Sequence, residues 1–421
     1  MKTKLIIYLK QALESIHMRQ ASVLYSSLIL GVLFSIVVSA INTRLLGPED
    51  FGAFKFLQTV WLLGVTFITF GFFTTGGIFL TKAKSTEEER CWMGSLLTIV
   101  SIVSMAFILL LLVASYPIGH IYGTEIGNYI RYCTILVFVF PMRIFLQDAL
   151  RGANDIKGLA LLNVLPQILY IIIVLIINSL FGFSLDLALF LFLLCLLISV
   201  FTISARTKPK FSAVKGQLSK ILSHNKSIGL PIYIAVLITT ATDSLSSFTL
   251  AYFFSLREVG EFALTLAITM PLSMIPTAIA TTYFKHFANS DSIPRELILG
   301  VLAASTVLLL IFYIVIKEII VFLYTEQFSN IVQAVYICGA ASTIHGMGDL
   351  LNRFILAHRE TKKLRTNAIQ LGIISTLGFV FLVAFAGLIG AAITKLAVAI
   401  VYLITLVIYY HQISNRKLWN G

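Results

Sequence analysis

Charge is scarce in this sequence. Asp, Glu, Lys and Arg together make up 12% of its 421 residues. A soluble domain of that length needs a polar surface, and these residues cannot supply one. The stretches Gln20–Thr43, Phe56–Thr81, Cys91–Thr124, Gly158–Leu185 and Phe262–Phe284 contain none of the four charged types. Cysteine is sparser still, with four residues. Cys91, Cys133, Cys195 and Cys338 stand alone, without CxxC or Cys/His spacing, which excludes a disulfide scaffold and a thiolate metal site. No other metal site and no cofactor is expected. Low-complexity linkers are absent, and no interval is long enough for a soluble catalytic domain. No basic surface exists beyond the charge that orients membrane loops, so no nucleic-acid partner is expected.

Hydrophobic residues make up 58% of the chain. About 20 consecutive apolar residues carry a helix across the hydrocarbon core. The pattern predicts an all-α polytopic membrane protein with twelve spans, at 21–42, 53–80, 92–115, 129–150, 159–180, 184–205, 228–254, 262–287, 297–317, 328–353, 366–386 and 388–411. The first twenty residues are interrupted by Lys2, Lys4, Lys10, Glu14 and Arg19. They read as an amphipathic interfacial helix and not as a signal peptide. The net charge is +12. Most Lys and Arg fall in the N-terminal segment, the even-numbered loops and the C-terminal tail. The opposite loops hold Arg44, Arg257 and Lys317. By the positive-inside rule both termini are expected in the cytoplasm.

The chain also repeats itself. Leu46-Gly47-Pro48-Glu49-Asp50-Phe51-Gly52-Ala53-Phe54 returns as Phe254-Ser255-Leu256-Arg257-Glu258-Val259-Gly260-Glu261-Phe262. Tyr122-Gly123-Thr124-Glu125 returns as Tyr324-Thr325-Glu326, and Gly152-Ala153-Asn154-Asp155 as Ala357-His358-Arg359-Glu360. The N-terminal amphipathic pattern recurs as Val214, Lys215, Leu218, Ile221 and Ser227. Six spans per half is an even number, so the halves enter the membrane in the same direction. Two parallel six-helix bundles, 1–207 and 208–421, are expected around a central cavity, with alternating access by rocking of one bundle against the other. Pro141, Pro166, Pro231, Pro271 and Pro276 fall inside spans, where each removes a backbone donor. They serve as hinges, or only reflect the higher frequency of proline in membrane helices.

The few charges inside spans carry the functional information, because each is costly there unless it faces a cavity or a partner. Asp243, in Thr239-Thr240-Ala241-Thr242-Asp243-Ser244, lies near the middle of the seventh span. It is a candidate for taking a proton or holding Na⁺, or for a structural ion pair. Arg143, Gln147 and Arg151 are spaced by four, as are His345, Asp349 and Arg353. A shift of 202 superposes the two triplets, each on one helix face. Arg151 and Arg353 lie near cytoplasmic ends, where they bind substrate or anchor the helix. His345 is either a site residue or a packed imidazole. Lys55 and Arg131 lie close enough to the rim to snorkel, and Lys395 lies deeper. The candidate cationic path is thus Arg143, Arg131, Lys395 and Lys55, with His345 and Arg353. The candidate ion-coupling acids are Asp243, Asp349 and Asp148. A mainly cationic set suits an anionic cargo, and guanidinium binds phosphate oxygens in pairs.

The first loop, Arg44-Leu45-Leu46-Gly47-Pro48-Glu49-Asp50-Phe51-Gly52, resembles a signature of polysaccharide flippases. So do Arg151-Gly152 followed by Asn154, and the seventh-span Asp followed by Val259-Gly260-Glu261-Phe262. The chain resembles the O-antigen (Wzx-type) branch of the multidrug/oligosaccharidyl-lipid/polysaccharide (MOP) flippase superfamily over essentially its whole length. That resemblance implies a MATE-like fold in the bacterial inner membrane and transfer of an undecaprenyl-pyrophosphate-linked oligosaccharide to the periplasmic leaflet. Coupling to an H⁺ or Na⁺ gradient is implied with it. The implied partners are membrane lipids and a polysaccharide polymerase with its chain-length regulator. The segment His345–Arg353 departs from any shared motif. A multidrug/cation antiporter of the same superfamily is the nearest rival, and the predominance of basic charges argues against it. A membrane-embedded polymerase or acyltransferase is the rival from another class, and neither explains the duplication.

Overall fold

The computed structural model describes residues 16–212 and 214–418, and no strand occurs among them. The expected N-terminal interfacial helix falls largely outside the described residues. Helix α1 runs Ile16–Ile68 and α2 Phe72–Leu80. They are followed by α3 (Thr86–Tyr122), α4 (Thr124–Val137), α5 (Val139–Gly152), α6 (Ile156–Phe181), α7 (Leu185–Arg206) and the short α8 (Val214–Asn225). The second half has α9 (Gly229–Phe253), α10 (Leu256–Thr282), the single turn α11 (Phe284–Phe287), α12 (Arg295–Tyr324) and α13 (Val332–Ala357). It ends with α14 (Thr361–Leu377), a π-helical turn at Gly378–Leu382, and α15 (Val383–Leu418).

Eight helical stretches among the described residues are long and apolar enough to cross a membrane, or nine when the pair α4–α5, bent by 47°, counts as one broken span. The two longest stretches, Ser26–Ile68 and Thr361–Ser414, are each broken at a glycine: Gly47 (φ 74°) and Gly387 (φ 49°). Each therefore contains two spans. With α13, 26 residues long and more polar, this accounts for the twelve the sequence predicts. The chain is a multi-pass membrane protein.

The chain divides into two compact units. One holds the described residues of Met1–Leu45 with Leu57–Thr240. There α3 packs on α4 and α5, α6 on α7, and α2 on α5. The polar starts of the helices explain their ends: Ser85 caps α3 through Glu88 N–H, Asp155 caps α6 through Gly158 N–H, and Ser184 caps α7 through Leu187 N–H. The short α8 docks against α2 and α3 by buried polar groups. Ser95 donates to Gln217 at 2.7 Å, Thr75 to Asn225 at 2.8 Å, and Asn225 to the Phe70 carbonyl at 2.8 Å.

The other unit holds Leu46–Phe56 and Ala241–Gly421. Here α13 lies along both α10 and α15. Phe287, Phe354, Leu406 and Ile355 are fully buried in its core. Gly52 and Gly260, counterparts in the repeat, face each other: a Cβ on Gly260 would lie 2.9 Å from the Gly52 Cα.

The duplication is visible in the turns. Gly123 and Thr325 each have positive φ (109° and 77°) and donate their N–H to the carbonyl four residues back, Gly119 and Val321. Asn154 and Arg359 both adopt left-handed backbone (53° and 60°). Around them Asp155 N–H bonds to Leu150 O and Glu360 N–H to Ile355 O. Gly182 and Gly387 make the third such pair.

Candidate functional site

In the first unit the charged residues of interest lie on α4 and α5. The bend between these helices falls at Phe138, and Pro141 follows in the first turn of α5. A proline there cannot donate to the preceding turn, which allows the break. Arg143 sits one turn beyond it, partly buried. Among the described residues its guanidinium has no hydrogen-bond or ion-pair partner, and no charged neighbour acts on it. Arg151 behaves differently. It pairs with Asp148 at 3.8 Å and its side chain is 61% exposed, as suits an anchor at a helix end. Arg131 hydrogen-bonds Asn128 and lies 5.0 Å from the centre of the Tyr116 ring.

In the second unit Asp243 of α9 meets Lys395 of α15, with Nζ 3.2 Å from Oδ1. The ammonium also lies 5.6 Å from the Phe379 ring centre. Lys55 sits over Phe51 and Phe54, at 5.4 and 5.9 Å. On α13, His345 Nε2 is 3.9 Å from Asp349 Oδ1, and its ring stacks on Tyr402 with centroids 4.6 Å apart. Asp349 is the centre of a network. Tyr402 donates to its Oδ1 at 2.8 Å and Thr277 to its Oδ2 at 2.7 Å, while Asn352 donates to the Tyr402 hydroxyl at 2.8 Å. Arg353, one turn beyond Asp349, has no acid partner among the described residues.

The repeat register needs adjustment here. The sequence spacing aligns Gln147 with Asp349. In the structure Thr74 of α2 donates to Asp148 at 2.9 Å, as Thr277 of α10 does to Asp349. Asp148 therefore holds the place of Asp349 in this contact, one residue on from the position that four-residue spacing selects. Thr74, Thr277, Asn352 and Tyr402 were not singled out in the sequence, because a Thr or Tyr within an apolar run reads as packing. Of the alternatives for Asp243, the ion pair is the one seen, with Lys395 beside the carboxylate. Among the described residues no group of His, Cys, Asp or Glu is arranged to hold a metal ion. Three of the four free cysteines are buried.

A multidrug resistance MATE family transporter of the MOP superfamily, in an inward-facing conformation, superposes with TM-score 0.69 at 15% identity, covering 91% of this chain and 96% of that one. The lipid II flippase MurJ, in an inward closed conformation, gives TM-score 0.68 at 13% identity, with 95% and 91% covered. A MOP superfamily transporter from Pyrococcus furiosus, described as having a binding pocket of reversed polarity, gives 0.56 at 14%, with 94% and 95% covered. At these identities the likeness defines the fold, that of a MOP-type membrane transporter. The chain belongs to the polysaccharide biosynthesis protein family, whose model matches residues 18–287. No curated protein matches its sequence.

Proposed function

We propose that this protein flips an undecaprenyl-pyrophosphate-linked oligosaccharide, an O-antigen or related repeat unit, across the bacterial inner membrane by alternating access. The observation that carries the reading is Arg143. A guanidinium inside a membrane span without an acid partner is an anion site awaiting its anion. The pyrophosphate bridge between lipid and glycan is the anionic part of such a cargo. The family and the MOP fold support transport of a polysaccharide precursor over chemistry performed on it. The loop charges support cytoplasmic termini and a cytoplasmic entrance. The repeat supports two parallel bundles, 1–207 and 208–421. Arg131, Lys55, Lys395, His345 and Arg353 are the further cargo-facing candidates. Asp243 is the acid assigned to ion coupling, with Asp349 and Asp148 held in hydrogen bonds as secondary candidates. A polymerase and a chain-length regulator are the partners this reading implies.

The test is leaflet distribution in liposomes that hold the purified protein and an undecaprenyl-pyrophosphate oligosaccharide, read by accessibility to an external glycan-cleaving enzyme. Arg143→Ala should slow protein-dependent transfer by about 10- to 100-fold, the scale of one or two charge-assisted hydrogen bonds. Arg143→Lys should recover part of the rate. Wild-type transfer of cationic dyes, with none of the lipid-linked glycan, would overturn the reading in favour of a cation antiporter.

A further inference from the structure

Asp243 and Lys395 stand on different helices, 152 residues apart in sequence, and meet at 3.2 Å. Their exposures differ. The Lys395 side chain is 29% exposed and that of Asp243 is 63%. The acid is thus the more accessible partner and the one free to move away. The ammonium has no second acid within ion-pair distance among the described residues. Among the described residues the other titratable groups facing the pair lie on α13 and α15, and Cys338 of α13 is within electrostatic range of Lys395. His345 is within electrostatic range of both Asp243 and Lys395, with Asp349 and Tyr402 behind it.

We propose that this is an exchangeable ion pair through which an oxyanion and a proton bind together: the anion takes Lys395, and a proton takes the carboxylate left behind. The inference rests on the anionic-cargo reading above. Lysine presents a compact charge with three donors, and Asp243 is the one acid paired with it among the described residues. An arriving phosphate-type oxyanion therefore displaces Asp243. The carboxylate left without its cation then takes up a proton, which removes an unpaired charge from a membrane span. No bond is made or broken other than the O–H bond on Asp243. Linkage makes the effect reciprocal: if the anion strengthens proton binding by some factor, the proton strengthens anion binding by the same factor. Proton and anion would then travel in the same direction, so an inward proton gradient would not by itself drive the anion outward.

The test is titration calorimetry on the purified full-length protein with methanedisulfonate, an anion whose charge does not change near neutral pH. Repeating it in two buffers of different ionisation enthalpy counts protons. The expected result is net proton uptake on binding by the wild type, with affinity that rises as pH falls. Asp243→Asn should bind the disulfonate about tenfold or more tightly, within the usual range of coupling factors, and should take up no proton. Lys395→Gln should lose both the affinity and the uptake. In His345→Gln the protons taken up per disulfonate bound should stay as in the wild type whatever happens to the affinity, which distinguishes Asp243 from the imidazole as the acceptor. Binding without proton uptake in the wild type, or weaker binding by Asp243→Asn, overturns the exchange. The proton count needs only the wild type, so a failure of Asp243→Asn to fold leaves the proposal testable. If the wild type binds no disulfonate and Arg143→Ala transports normally, it is the anionic-cargo reading that fails.

Discussion

Arg143 and Thr325 illustrate what one side chain reveals and what it hides. Arg143 was legible because charge is so rare around it: a lone guanidinium in an apolar run has to face something. The pairing of Asp243 with Lys395 was not legible, since no local spacing links two helices so far apart in sequence. Nor was the role of Tyr402, whose ring looks like core until its hydroxyl is found on Asp349. Thr325 carries a different message. It holds φ 77° where its counterpart in the first half is Gly123. A β-branched residue in that region is strained by about 1–3 kcal/mol. Replacing it with glycine relieves the strain and gives back about 0.5–1 kcal/mol as unfolded-state freedom. Thr325→Gly should therefore raise the thermal midpoint of the purified protein, by the equivalent of about 1 kcal/mol. Gly123→Thr should lower it. A lower midpoint for Thr325→Gly would mean that the threonine side chain makes contacts worth more than its strain.

At the level of elements, where the helices run is legible in the apolar runs, and how they touch is not. A helix at the place of α8 is expected from its echo of the N-terminal pattern, and one forms there. The buried Gln217 and Asn225 that fasten it are not expected, because amides within a basic, polar stretch read as solvated. The one-residue register error at Asp148 has the same origin. Four-residue spacing identifies a helix face but not which of two adjacent polar residues reaches the neighbouring helix. Close approach between helices is better marked, by glycine. A Cβ on Gly52 would fall 1.8 Å from the Leu256 carbonyl oxygen, and one on Gly260 would fall 2.9 Å from Gly52 Cα. The repeated motif thus keeps glycine in both halves for one crossing. Gly300 is a matched control, helical and with nothing within 4 Å of its Cβ position. Gly52→Ala should cost about 1–3 kcal/mol, the usual penalty of overpacking. Gly300→Ala should be neutral or stabilising by up to about 1 kcal/mol. Thermal unfolding of the two variants side by side checks this, and equal midpoints would show that the crossing adapts.

For the whole molecule, composition alone marks a membrane protein, and the repeat points to two halves. The count of spans was harder. Only eight stretches satisfy length and apolarity outright. The remainder are divided by Gly47 and Gly387, bent at Phe138, or made polar by His345, Asp349 and Arg353. Gly47 and Gly387 lie against Gln327 and Glu258, whereas the bend precedes Arg143 and the polar stretch of α13 carries the candidate residues His345, Asp349 and Arg353. The cargo of the proposed function is anionic, so its movement carries negative charge across the membrane. Each net charge moved is worth about 2.3 kcal/mol per 100 mV, roughly a fifty-fold shift in distribution between leaflets. In liposomes with a valinomycin-clamped potassium potential, positive on the receiving side, transfer of the lipid-linked glycan should proceed further than at zero potential. Reversing the sign should suppress it. Co-binding of a proton removes one charge from the moving complex, so Asp243→Asn, which carries none, should steepen the voltage dependence. Transfer that ignores the potential would require the cargo to cross fully neutralised, and the cationic side chains would then have to move with it.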